Sequence, residues 1–355
     1  MIVTPIISST AELTSTFPAT RYQGSKRRLA QSIVGHIREL PFESALDAFG
    51  GTGAVSHALK RIGKQVTYND VLRFNYQIGL ALIENDSVRL SESDTSYILR
   101  RHDDVTYGDY IERTFEDIYF TPEENRWLDT VVANIGRMDD RFKRAMAWFA
   151  VFQAAMAKRP YNLFHRRNLY MRHADVSRGF GNKTTWDRSF EDHFTKIVGQ
   201  AGNALIDADG SCRAVCRDAL EVEGEFDLVY VDTPYITARG VGVDYRDFYH
   251  FLEGMTCYDD WPSLIDLDSK HRRLRREKDP WCDPKCCHDM FRRLFERFSK
   301  SILVVSYRSD GIPSISELVE ILRRVKRQVE VIDGKRYQYA LSTKRDTREV
   351  LIIGR

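Results

Sequence analysis

The stretch Phe226-Asp227-Leu228-Val229-Tyr230-Val231-Asp232-Thr233-Pro234-Tyr235 carries the residues with the clearest chemical use. An apolar run, read as a buried strand, ends in Asp-Thr-Pro-Tyr. In an open α/β sheet, ligands bind beyond the carboxyl ends of strands, and Asp232 falls at such an end. Pro234 has a fixed φ and stiffens the turn. The exocyclic amine of a nucleobase is a poor nucleophile because its lone pair is delocalised into the ring. Hydrogen bonds from that amine to a carboxylate and a carbonyl favour a more tetrahedral nitrogen, whose lone pair can point at a sulfonium methyl. Asp232 is the candidate carboxylate, and the Thr233 backbone is the candidate carbonyl. Tyr235 is the candidate ring for stacking on the base. A base in a duplex must first be flipped out, at a cost of a few kcal/mol. Stacking on an aromatic returns ~1–3 kcal/mol. In isolation, Asp-Thr-Pro-Tyr fits an ordinary strand-ending turn as well, since Asp and Pro are common turn residues.

A second candidate lies upstream. Ala45 to Phe49 reads as a short buried strand that runs into Gly50-Gly51-Thr52-Gly53 and then a helix through Leu59. Such a turn lets a ligand sit against bare backbone. Gly51-Thr52-Gly53 followed by Ser56 is close to G-x-G-x-x-G. Gln65 to Tyr68 reads as the next strand, and Asp70 beyond it lies 19 residues after Gly51. That spacing suits a carboxylate holding ribose hydroxyls. Alone, this loop also fits a nicotinamide oxidoreductase or a tight turn in a core.

The elements that must position these groups alternate at both ends of the chain. A helix is predicted after Ser25, with Leu29, Ile33, Ile37 and Leu40 at helical spacing; the first twenty or so residues read as a loose arm. After about 210 the rhythm resumes, with strands at Arg213–Cys216, Leu228–Val231 and Ile302–Tyr307 and helices at Met290–Phe298 and Ile315–Val325. Val329–Ile332 and Val350–Ile353 close the sheet as a hairpin. Between them, 95–205 shows helical patterns only, the strongest being Arg141–Ala157. The expected division is a sheet domain from 1–94 and 206–355, with 95–205 inserted. The 355 residues are 43% hydrophobic and 12% aromatic, enough for a sizeable core. A net charge of +2 means that any basic surface is local. No secretory signal and no membrane-length apolar run is recognised, so a cytoplasmic protein with free thiols is expected. Cys282, Cys286, Cys287 and His288 form C-x3-C-C-H, which is not a paired metal-binding spacing, and no metal is expected.

Residues 158–173 hold Lys158, Arg159, Arg166, Arg167 and Arg172 without an acid, interleaved with Tyr161, Phe164 and Tyr170. Arg178, Lys183 and Trp186 follow. Cations among aromatics suit phosphate contact and base stacking, although such a run is more often a solvated helix surface. Its position between the two halves favours DNA. A second basic run, His271 to Arg276, is either a backbone clamp or a solvated loop.

Four segments together resemble the Dam-like class of DNA adenine-N6 methyltransferases, which order a cofactor motif, a target-recognition region and a catalytic Asp-Pro-Pro-Tyr. Arg21-Tyr22-Gln23-Gly24-Ser25-Lys26 resembles the N-terminal cofactor-contacting motif. Asp47-Ala48-Phe49-Gly50-Gly51-Thr52-Gly53 resembles the F-x-G-x-G motif that holds S-adenosylmethionine. Asp218 resembles the acid that contacts the cofactor's adenine amine, and Asp232 to Tyr235 the catalytic tetrapeptide. Tyr337-Gln338-Tyr339 and Glu349-Val-Leu-Ile-Ile resemble the closing hairpin. Thr233 stands where proline is usual, but its assigned role is a backbone carbonyl, which threonine also has. The resemblance implies a class I methyltransferase-type, Rossmann-like sheet with a mostly helical target-recognition insertion. It also implies double-stranded DNA as substrate and a restriction-modification or phage-defence setting, with no nuclease partner indicated. Within it Tyr22 is a cofactor contact, and Lys26 pairs with the methionine carboxylate or is an exposed first-turn lysine. Phe49 packs on the cofactor or fills the core. Asp47 meets the loop or the cofactor's amino group, and Asp218 is a cofactor contact or a helix cap. N4-cytosine methylation, RNA adenine methylation and a non-catalytic DNA-binding role remain as alternatives.

Overall fold

Strands form where β-branched and aromatic residues run together between polar turns. Along the chain these are β1 (Ser44–Asp47), β2 (Gln65–Asn69), β3 (Arg213–Val215), β4 (Leu228–Val231), β5 (Ile236–Thr237), β6 (Ile302–Arg308), β7 (Gly311–Ile312), β8 (Val329–Arg336) and β9 (Arg348–Gly354). The computed structural model describes residues 17–174, 183–336 and 347–355. Arg178, Tyr337 to Tyr339 and most of the N-terminal arm therefore lie outside the described residues.

Seven strands make one sheet in the order β3-β2-β1-β4-β6-β9-β8. The first five in that order are parallel, and β9 runs antiparallel between β6 and β8, which is the expected closing hairpin. Every residue of β4 is buried, as a central parallel strand covered on both faces requires. Its side chains alternate: Leu228 and Tyr230 enter one core, Val229 and Val231 the other. The second core is covered by helices Cys287–Arg297 and Ile315–Arg323. Helices Ala30–Ile37 and Ala54–Arg61 cover the first, together with the helical insertion.

As predicted, 95–205 contains no strand among the described residues. Its central helix, Arg141–Ala157, is buried without interruption from Ala145 to Ala157. A helix apolar on all sides needs partners all round. They come from Arg73–Gly79, the π-turn Leu80–Glu84 and helix Phe190–Gly202. Sheet and insertion share one continuous core. The boundary drawn at 205 also leaves out a piece of the helical layer. Phe251 from helix Tyr245–Thr256, and Trp261 after it, pack on Phe115, with ring centroids 4.9 and 5.0 Å away. The helical layer therefore draws on the chain between β5 and β6 as well.

Candidate active site

A cavity of about 620 Å³ opens at the carboxyl ends of β1 to β4. It lies where strand order reverses: from β1 the sheet grows one way through β2 and β3, and the other way through β4 and β6. Asp47 ends β1, Asn69 ends β2 and Asp232 follows β4 directly, so three polar side chains arrive at one opening. The volume suits a cofactor-sized ligand.

The glycine loop forms one wall. Gly51 and Gly53 have φ of +51° and +74°, which L side chains rarely adopt, and Gly53 leads into helix Ala54–Arg61. Gly50 is constrained differently: a Cβ there would lie 2.1 Å from the Tyr68 ring. Tyr68 on β2 also donates its hydroxyl to the Gly51 carbonyl at 2.7 Å. Nothing in the sequence marks Gly50 or Tyr68, because the motif does not show which ring crosses it. Asp70 fastens the loop. Its Oδ2 accepts from Gly51 N at 2.9 Å and from Asn75 Nδ2 at 3.0 Å, and its Oδ1 accepts from Leu72 N at 2.9 Å. The spacing from Gly51 suits a ribose contact. Three protein donors already occupy most of the carboxylate, so holding the loop is its evident work here.

Asp47 is buried, and only one of its oxygens is satisfied among the described residues. Oδ2 accepts from Ser56 Oγ at 2.6 Å, whereas Oδ1 is buried with no hydrogen-bond partner. Burial pushes its carboxyl up to about 7, opposed by the Ser56 bond and reinforced by Asp232 and Asp70. An orphaned carboxylate oxygen lining a cavity fits a cationic ligand group such as an ammonium. Asp218 reaches the same cavity while capping the turn Ala219–Glu221, its side chain accepting from Leu220 N at 2.8 Å. Phe49 meets Trp281 edge-on at 4.9 Å, and both line the cavity. Tyr22 lies in a stack with Tyr249 at 4.7 Å and Tyr245 at 5.5 Å, again on the cavity wall.

The tetrapeptide corrects two expectations. Lys26 is buried and reaches Asp232 Oδ1 at 2.7 Å and Glu349 Oε1 at 3.3 Å; in this state it is a partner of Asp232 and not an exposed lysine or a free anion site. Tyr235 is 4% exposed and packs edge-on against Tyr307. Its hydroxyl contacts Lys26, Asp232 at 2.8 Å and Glu349 at 3.1 Å, so its ring is not offered to a base in this conformation. Burial raises Asp232 to about 6, with Lys26 pulling down and Glu349 pushing up. Burial works against the Lys26 ammonium, but Asp232 and Glu349 outweigh it and keep it charged. Thr233 is buried, its Oγ1 without a partner among the described residues, and it lines the cavity with Pro234. In the sequence Glu349 reads only as part of the closing strand.

The basic segment divides. Lys158 and Arg172 are buried and share Glu124, Lys158 at 2.8 Å and Arg172 by two bonds of 2.7 Å. Arg159 is 1% exposed; it lies over the Tyr119 ring and donates to the carbonyls of Leu163 and Arg166. These three cations serve the interior and are not available to phosphates. The compensating acid stands on helix Pro122–Gly136, far from them in sequence. Tyr161, Arg166, Arg167, Tyr170 and Lys183 are exposed, with Arg167 donating to the Asp117 carbonyl at 3.4 Å. In the second run, Arg273 pairs with Asp266 and Arg276 with Asp247.

The reversed strand order, the antiparallel β9 and the cavity beside the glycine loop define a class I methyltransferase fold. The chain matches the model of the D12 class N6 adenine-specific DNA methyltransferases over residues 22–262, and it belongs to that family. It is similar to the type II methyltransferase M2.HphI of Haemophilus parahaemolyticus, 26% identical over 89% of this chain and 91% of that protein. It is also similar to the type II methyltransferase M.FokI of Planomicrobium okeanokoites, 26% identical over 85% of this chain and 46% of the relative. For the modification methylase StsI of Streptococcus sanguinis the figures are 24%, 90% and 48%. The chain thus spans about half the length of the last two. A solved rRNA methyltransferase, aviRa from Streptomyces viridochromogenes, aligns over 94% of this chain and 87% of its own at 13% identity, with a TM-score of only 0.29.

Proposed function

We propose that this chain methylates N6 of a flipped adenine in double-stranded DNA at a specific sequence, with S-adenosylmethionine as donor, in a restriction-modification setting. The observation that carries the reading is the juxtaposition of Asp47 and Asp232 at the ends of adjacent parallel strands, on one cavity beside the glycine loop. S-adenosylmethionine, when bound, supplies an electrophilic methyl and its own leaving group. The orphaned Oδ1 of Asp47 suits its ammonium. Phe49 and Trp281 offer apolar walls, and Asp218 lies within the same cavity for a ring amine. Asp232 and the Thr233 carbonyl accept hydrogen bonds from the target amine, which makes its lone pair available. Arg166, Arg167, Lys183 and Tyr161 are the exposed candidates for the DNA backbone and bases. The restriction-modification setting is supported by the relatives' names alone.

The test is to incubate labelled S-adenosylmethionine with mixed-sequence duplex DNA and to identify the labelled nucleoside, with Asp232→Ala in parallel. N6-methyladenine is expected, with a loss of at least about a hundredfold in the variant. Label in N4-methylcytosine, or an Asp232→Ala variant as active as the parent, would defeat the reading.

A further inference from the structure

We propose that Glu349 is a positioning residue that releases Asp232 for the target amine, by offering Tyr235 and Lys26 a second acceptor. This rests on the assignment of Asp232 above. Glu349 is the second residue of β9 yet meets a lysine from the N-terminal motif and a tyrosine from the loop after β4, with Lys26 at 3.3 Å and Tyr235 at 3.1 Å. It is buried, and Ser306 on β6 aims it by donating to its Oε1 at 2.6 Å. A buried carboxylate is costly unless paired and hydrogen-bonded, and two of its partners, Lys26 and Tyr235, also hold Asp232.

The proton count makes the contact more than packing. The Tyr235 oxygen receives a hydrogen bond from Lys26 and has a single proton to give. Asp232 Oδ1 at 2.8 Å and Glu349 Oε1 at 3.1 Å are both within its reach, and it can donate to only one at a time. When it turns to Glu349, one lone pair of Asp232 Oδ1 is released. Lys26 has three N–H donors and can meet Tyr235, Asp232 and Glu349 at once, so Glu349 divides its charge without competing for a single bond. Among the described residues, Lys26 faces two carboxylates, Asp232 and Glu349. Among the described residues, Asp232 faces Lys26, Glu349, Asp47 at the end of β1, Tyr230 in β4, Tyr235, and Tyr245 across the cavity. Burial comes first in raising Asp232, and the negative charge of Glu349 adds to it. Without that charge, Asp232 stays ionised to lower pH but is held more tightly by Lys26.

The experiment compares the wild type, Asp232→Ala and Glu349→Gln in single-turnover methyl transfer across pH, with KM values and thermal melting recorded for each. Glu349→Gln is expected to fold, to lose about tenfold in kcat with both KM values nearly unchanged, and to move the acid limb of the profile to lower pH. A merely structural role would not move that limb. Wild-type kcat and an unmoved limb in Glu349→Gln, with Asp232→Ala inactive, would overturn the inference and leave the assignment of Asp232 standing. If Glu349→Gln does not fold, Ser306→Ala removes only the hydroxyl that aims Glu349. It is expected to lower kcat in the same direction, and wild-type kcat there would equally overturn the proposal. Absence of transfer by the wild type would bring down the assignment of Asp232, and this inference with it.

Discussion

At the scale of single residues, the site stores its chemistry in carboxylates that burial makes reluctant to ionise. Asp47 is the sharpest case, since one oxygen has no partner among the described residues and its carboxyl is pushed up to about 7. An unfolded aspartate titrates near ~3.9, so the folded chain binds this proton more tightly. The resulting stability is fully present below about pH 4 and is lost as pH rises through about 7. Asp47→Asn removes that dependence. The variant is expected to gain roughly 4 kcal/mol over the parent at pH 8, about 1.36 kcal/mol for each of the three or so pKa units, and little at pH 4. It should also lose the melting shift that S-adenosylmethionine gives the parent. Melts at both pH values, with and without cofactor, check this; a variant still stabilised by the cofactor as strongly as the parent would remove Asp47 from the binding role. Asp47 and Asp232 were legible in the sequence because each sits at the end of an apolar run. Glu349 was not, because only the insertion of β9 beside β6 brings it to Lys26 and Tyr235.

At the scale of elements, the glycine loop shows what a motif reveals and what it hides. The sequence pointed to Gly51 and Gly53, and both have the positive φ such a turn needs. It gave no hint that Gly50 is the tightest position, since the obstacle is the Tyr68 ring arriving from the neighbouring strand. The two constraints predict different penalties. Gly51→Ala meets nothing closer than 3.8 Å and bears only the conformational cost, roughly 1 kcal/mol. Gly50→Ala drives a methyl into a buried ring between 2.1 and 2.4 Å away, and either the loop or Tyr68 must shift. That overpacking is expected to cost about 3 kcal/mol and to break the Tyr68 bond to Gly51. Denaturant unfolding of the two variants ranks them; equal losses would mean that the loop yields more easily than its contacts indicate.

At the scale of the whole molecule, the helical insertion is a layer of the same core as the sheet, and this decides which of its cations can meet DNA. A charge run without local acids reads as a binding face only while its partners are sought nearby in sequence. In the fold, Glu124 takes up Lys158 and Arg172, and Arg159 is enclosed by carbonyls and the Tyr119 ring. Arg166, Arg167 and Lys183 remain on the surface. The two groups should separate in experiment. Glu124→Gln leaves two buried cations short of their counter-charge and is expected to cost ~3 kcal/mol of stability. Arg166→Ala combined with Arg167→Ala removes exposed charge, where substitutions usually change stability by less than about 0.5 kcal/mol. If each arginine neutralises one phosphate, the double variant lowers the slope of log affinity against log salt by about 1.8. Thermal melts and salt titrations of duplex binding, run on both variants, read the two effects independently. A double variant with an unchanged salt slope would take this face out of the DNA contact. The same loss of slope in Glu124→Gln, under conditions where it remains folded, would mean that the interior cations shape the binding face after all.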